Sequence, residues 1–273
     1  MKKILFLFFL GTQLLLAQNK RFIYQYTYVP DSTNITSALT ELMYLDITDQ
    51  KSLFYSQNKY AEDSTSIAEA KKGQFYIPNA NVFYRVEKIK DKVFFLTSDY
   101  GVENLRVEDN RRMMWNILPD KKSIGEYKAQ KAVTDFGGRK WIAWFTVDIP
   151  LQDGPYKFAG LPGLIIKIED ATQNHSYQLV GVRSIDHQTQ YPALNSGTKE
   201  LVLNQKDFNK LFKRYRNDPA SSIKQLYIQG KLPDHTDTSG KFRTGAEIVR
   251  EVEQLVKERL KKDNNIIEID LLK

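Results

Sequence analysis

Gly154-Pro155-Tyr156-Lys157-Phe158-Ala159-Gly160-Leu161-Pro162-Gly163-Leu164-Ile165 packs three glycines and two prolines into twelve residues and leads into the apolar run Leu164-Ile165-Ile166-Lys167-Ile168. The run reads as a buried strand and the segment before it as a corner. Leu161-Pro162-Gly163-Leu164 fits a type II turn, with Pro162 setting φ at the second position and Gly163 accepting positive φ at the third. Gly154-Pro155 marks an earlier bend, so Tyr156, Lys157 and Phe158 are pinned between two turns. Two readings follow. Tyr156, Lys157, Phe158, Gly160, Leu161, Pro162 and Gly163 form a rigid binding platform that presents an aromatic, a cation and an apolar ring. Alternatively, the segment is a structural corner in which Phe158 and Leu161 plug the sheet while Lys157 is solvated.

Just upstream, Gly137-Gly138 suits a two-residue hairpin turn that places Arg139 and Trp141 at the start of a strand. Trp141, Ala143, Phe145 and Val147 there alternate with Ile142, Trp144 and Thr146. If this strand neighbours Leu164 to Ile168, Arg139 lies near the corner and joins the candidate binding residues with Trp141. The other reading is an ordinary exposed arginine at a strand end.

The same period of two recurs outward. Phe22, Tyr24, Tyr26 and Tyr28 share one face; Val82 to Glu87 and Val93 to Leu96 flank a turn at Lys90-Asp91; Met113 to Leu118 and Ser176 to Ile185 also alternate. Short polar links between these runs argue for antiparallel connections rather than βαβ crossovers. Glu62 to Lys72 reads as a short helix or as a solvated loop. Beyond residue 200 the period lengthens. Asn204 caps a helix carrying Phe208, Leu211, Phe212 and Tyr215, and Asp218-Pro219 opens a second. Thr244 and Glu247 form a capping box before a third, whose stripe runs through Ile248, Val249, Val252, Leu255, Val256 and Leu260. That stripe covers its own sheet or docks a partner. Ile266 to Leu272 reads as a last strand. The expectation is an α+β fold: a curved, mostly antiparallel β-sheet over 20–187 with helices over 204–262, in one domain spanning 18–273.

At the N-terminus, Lys2 and Lys3, the apolar Ile4 to Leu10 and the segment Leu14-Leu15-Leu16-Ala17 read as a signal peptide over 1–17, cut before Gln18. Gly11, Thr12 and Gln13 interrupt the run, which is shorter than the roughly 20 residues a membrane anchor needs. No other segment approaches transmembrane length. The expected location is periplasmic or extracellular. The net charge of +7, or +5 without Lys2 and Lys3, is spread among 33 acidic residues like an ordinary solvated surface. No interleaved basic and aromatic motif marks a nucleic-acid partner.

Chemistry has little to start from. The chain has no cysteine and no Gly-x-Ser-x-Gly elbow, so no catalytic residue is assigned. His175 and His187 bracket a strand and His235 stands apart, which reads as three loop histidines rather than a metal site. No cofactor is implied. Asp135-Phe136-Gly137 imitates a kinase triplet without its companion motifs, and Asp237-Thr238-Ser239-Gly240 imitates a protease loop without a second copy. Glu169 and Asp170 are adjacent on a strand and point to opposite faces, which disfavours a shared-proton pair.

From Met114 to Asp170, the strings Gly125-Glu126-Tyr127-Lys128-Ala129-Gln130-Lys131-Ala132, Trp141 to Phe145, Ile149-Pro150 and the loop itself resemble the GLPGLI family of exported Bacteroidota proteins. The resemblance implies export and a place in the cell envelope, and it brings no established activity. Many members carry a cysteine where this chain has Ala129, so a role that depends on a thiol does not transfer. The leading expectation is a non-catalytic binding or assembly factor acting through the 154–165 loop on an envelope partner. A periplasmic carrier of lipid or another apolar ligand is the alternative, and a carboxylate-dependent envelope hydrolase the third.

Overall fold

The computed structural model describes residues 19–73, 80–101, 104–186, 189–192, 199–236 and 240–273. The signal segment 1–17, His187 and Asp237-Thr238-Ser239 lie outside these. In chain order the elements are β1 (Lys20–Tyr28), β2 (Leu39–Ile47), β3 (Ser52–Ser56), α1 (Gln57–Lys71), β4 (Arg85–Ile89), β5 (Lys92–Thr97), β6 (Leu105–Asp109) and β7 (Asn116–Ile124). They continue with β8 (Tyr127–Phe136), β9 (Arg139–Thr146), β10 (Leu164–Asp170), β11 (His175–Ser184), β12 (Leu201–Asn204), α2 (Gln205–Asn217), α3 (Ser221–Ile228) and α4 (Gly245–Lys262).

Strands β1 to β12 form one open sheet in the order β12-β6-β5-β4-β3-β2-β1-β11-β10-β9-β8-β7. Among the described residues, only the short β12–β6 pairing is parallel. The order explains the alternation read from the sequence. Two antiparallel meanders, β1 to β6 and β7 to β11, meet where β1 pairs with β11. One row of partners crosses the seam as Tyr26, Tyr177, Ile168, Ala143 and Ala132, and all five are buried. Phe22, Tyr24, Met43, Leu45, Phe54, Val86 and Val107 extend the same core. Burying a side chain of this size contributes roughly 1.5–3 kcal/mol.

On the reverse face, Arg21 of β1 forms a bidentate pair with Asp46 of β2 at 2.6 and 2.7 Å and also donates to the Tyr55 hydroxyl. Its guanidinium lies over the rings of Tyr44, Tyr55 and Tyr60. The last of these comes from α1, which resolves the open reading at Glu62 to Lys72 as a helix. Ser56 caps it by accepting from Lys59 N–H.

The C-terminal third departs from expectation in three places. Helix α3 starts at Ser221, without a side-chain cap, rather than at Asp218-Pro219. The stripe of α4 packs mainly against α3 and leaves Leu255 71% exposed. Ile266 to Leu272 is not a strand but ends in a 3-10 turn over Ile269–Leu272. Its carbonyls are taken by a side chain: Arg139 donates to Ile266 O and Ile267 O, while Asp270 N–H donates to Gly137 O. With its polar groups so engaged, the segment has no ladder partner to recruit.

Candidate functional site

The 154–165 corner is held by donors reaching from distant parts of the chain. Lys88 of β4 donates to Gly154 O at 2.7 Å and Phe158 O at 3.2 Å and pairs with Asp153. Burial lowers the pKa of the Lys88 ammonium, and Asp153 pulls it back up. Trp115 Nε1 donates to Ala159 O, and the Tyr24 hydroxyl donates to Ile165 O. Sequence reasoning missed all three anchors, because none carries a motif.

Backbone geometry corrects the turn assignment. Gly163 N–H donates to Leu161 O at 2.8 Å, a three-residue turn about Pro162, and Gly163 is not in the positive-φ region. Glycine is needed there for a different reason: a Cβ would stand 2.1 Å from Thr146 O. The positive φ values fall instead at Gly160, 94°, and Tyr156, 51°. For a tyrosine that conformation is strained, and it swings the ring inward.

Phe158 and Leu161 plug the core as expected of a structural corner, with Phe158 4.7 Å from the Trp141 ring. Pro162 is exposed. Lys157, expected to be solvated, is 4% exposed and lies at the centre of a charge cluster. Its ammonium donates to Asp109 Oδ2 at 2.8 Å and Glu268 Oε1 at 2.5 Å. Tyr156 donates to the same Glu268 oxygen at 2.6 Å, and Arg111 bridges Glu268 Oε2 and Asp109. Two cations and two anions thus close on each other. Burial pushes the Asp109 and Glu268 carboxyls up, but Lys157 and Arg111 outweigh it and leave both below the usual carboxylate range.

Arg139 is half-buried rather than exposed, its side chain only 8% exposed, since its guanidinium takes Asp170, Asn265 Oδ1 and the two carbonyls named above. It ties the C-terminal segment over the β8–β9 hairpin. Gly137 and Gly138, at φ 62° and 79°, make the expected two-residue turn. His175 is not a loop histidine. Its Nε2 lies 2.7 Å from Asn265 O and its Nδ1 2.8 Å from the Tyr26 hydroxyl. Burial and Arg139 lower its pKa to about 4, so the ring is neutral at pH 7. The His235 side chain and His187 are outside what is described.

Above the charge cluster lies a cavity of about 170 Å³. Tyr26, Tyr28, Tyr84, Tyr100 and Tyr156 line it, with Lys157, His175, Glu268 and Asp263. Of its lining residues, Tyr156, Lys157 and Glu268 are buried and Asn81 is exposed. Tyr26, Tyr28 and Tyr177 stack in a ladder with centroids 4.6 and 4.1 Å apart. A volume of roughly 150 Å³ is enough to take up benzene, so the space suits a ligand of that order and is small for an acyl chain. Among the described residues, no helix is long and apolar enough to cross a membrane.

Residues 136–167 match a family described as a protein of unknown function (Porph_ging). No curated protein matches the chain. Two solved structures of PNGF-II, in the C2 and P21 space groups, are similar to it, each with a TM-score of 0.52 and 16% sequence identity. The match covers 73% of this chain and 34% of theirs, so the chain spans about a third of their length. At that identity the likeness is one of fold.

Proposed function

We propose that this protein is an exported binding domain, spanning 18–273, that takes a small ligand into the tyrosine-lined cavity. The observation that carries the reading is the position of the 154–165 loop. It forms the cavity's inner wall through Tyr156 and Lys157 instead of presenting them on the surface. Phe158, Leu161, Gly163 and Trp141 then fix the wall, Gly160 and Pro162 shape the turn, and Arg139 holds the opposing C-terminal segment. A concave site with an aromatic lining and a few convergent polar groups is the usual form of a small-molecule site. Export rests on the Lys2 to Ala17 signal pattern and on the resemblance to GLPGLI proteins, together with the Porph_ging match over 136–167.

The size of the space favours a compact ligand over a lipid chain. Both oxygens of Glu268 are occupied, Oε1 by Tyr156 and Lys157 and Oε2 by Arg111. Glu268 therefore offers no free carboxylate to partner Asp263 in hydrolysis, and binding without turnover is the reading adopted.

An NMR screen of small fragments of mixed charge tests it. Shifts are expected to centre on Tyr84, Tyr100, Tyr156 and His175 and to vanish in Val82→Trp, which fills the cavity wall. Shifts confined to other surfaces, or unchanged binding in a folded Val82→Trp variant, overturn the reading. Mass spectrometry of the exported protein tests the signal, with Gln18 expected as the first residue.

A further inference from the structure

The polarity of the cavity wall narrows the ligand. His175 Nε2 faces a carbonyl, Asn265 O, and must carry the ring's hydrogen; Nδ1 then accepts from the Tyr26 hydroxyl. Tyr26 has thereby given its only hydrogen to the protein. Tyr156 has done the same toward Glu268 Oε1. Each phenolic oxygen keeps lone pairs and no donor. Asn265 is used as well, its amide donating to Val29 O and its Oδ1 accepting from Arg139. Lys157 is the remaining cation at the wall, and its charge is matched by Asp109 and Glu268 at hydrogen-bond distance.

Asp263 differs from these groups. It follows α4 directly, at the negative end of that helix. Its backbone carbonyl accepts from Arg216, but its carboxylate has no hydrogen-bond donor among the described residues. Burial raises its pKa, which Arg216 and Arg259 only partly offset. The tyrosines report the same field. Burial pushes the Tyr28, Tyr84 and Tyr100 hydroxyls up, and the charged groups acting most strongly on them are carboxylates: Glu41, Asp263, Glu268 and Asp99.

Aromatic faces attract cations through the ring quadrupole, and a cage of aromatic rings is the general solution for quaternary ammonium groups. The molecule already makes one such contact at this wall, where the Lys157 ammonium lies 5.2 Å from the Phe95 centroid and 5.4 Å from that of Tyr156. We propose that the cavity selects a small organic ammonium cation, its charged head among Tyr28, Tyr84 and Tyr100 with Asp263 as counter-ion. This deepens the binding reading above and depends on it.

Choline chloride, the neutral isostere 3,3-dimethyl-1-butanol and acetate, titrated separately into the full mature protein and followed by NMR, separate the two claims. Choline is expected to shift the Tyr84, Tyr100 and His175 resonances and to bind at least about tenfold more tightly than the alcohol, with no binding of acetate. Asp263→Asn is expected to remove most of that preference, read as the ratio of the two affinities; Tyr100→Leu should weaken choline by a comparable factor. Equal or tighter binding of the alcohol overturns the cation assignment and leaves the binding reading standing. Binding of acetate alone also overturns the assignment. If none of the three shifts a cavity resonance while the protein is folded, the cation assignment falls, and with the fragment screen also silent the binding reading falls too.

Discussion

Lys157 Nζ and Glu268 Oε1, 111 residues apart in sequence, meet at 2.5 Å with both side chains less than 5% exposed. The contact joins the turn-rich loop to the C-terminal tail and closes the floor of the cavity. Replacing Lys157 by Met leaves Asp109 and Glu268 facing each other with Arg111 as their shared cation. Removing one partner of a buried pair typically costs about 3–5 kcal/mol. Urea denaturation of Lys157→Met should show a loss of that order. The double variant Lys157→Met/Glu268→Gln should lose less than the sum of the two single changes. Strict additivity would mean that the two groups do not act together.

Stability should fall on acidification in two windows. The folded pKa of His175 is lowered to about 4 from 6.5, so between those values the unfolded chain binds more protons. The contribution of neutral His175 is complete above 6.5 and is lost as pH falls toward 4, by about 2 kcal/mol at pH 5. Asp109 and Glu268 are also lowered, so theirs is present above the ordinary carboxylate range and lost below it. Denaturation midpoints at pH 7.5, 6 and 5 should decline, with a flatter profile for His175→Gln. An identical slope in that variant would assign the decline elsewhere.

Two glycines of the loop should respond differently to alanine. At Gly163 the new Cβ meets the Thr146 carbonyl at 2.1 Å, and backbone cannot step aside as a side-chain tip does. Gly163→Ala is expected to cost more than about 4 kcal/mol, among the largest single effects. Gly160→Ala has open space and only the strain of φ 94°, on the order of 1–3 kcal/mol. Thermal melts rank the pair, and a reversed order would contradict the geometry.

Lys88→Met should loosen the loop without unfolding the sheet. It removes the donors to Gly154 O and Phe158 O while keeping an apolar stem between the same neighbours. Hydrogen exchange at Gly160 and Ile165, whose N–H groups bond to Gln152 O and Asp153 O, should accelerate selectively. Uniform acceleration across β9 and β10 would indicate a global effect instead.

Much of the sheet was legible because alternation is a local signal. Phe22, Tyr24 and Tyr26 announce a half-buried strand, and Gly137-Gly138 announces its hairpin. Strands β2, β3, β6 and β12 escaped notice. In β2, Tyr44 and Asp46 are buried on the reverse face along with Met43 and Leu45 on the core face, which erases the period of two. The surroundings of Lys157 and Arg139 were not legible, because Glu268 and Ile266, which partner them, lie more than 100 residues away in sequence.

By itself the sequence settles the antiparallel plan, the helical final third and the position of one proline-glycine corner, since propensity, turn chemistry and capping act over a few residues. Only the tertiary structure decides that the corner faces inward, that Lys157 is buried against Asp109 and Glu268, and that tyrosines from four separate segments line one cavity. Charge burial and cavity shape depend on which distant segments meet, and no local pattern encodes that.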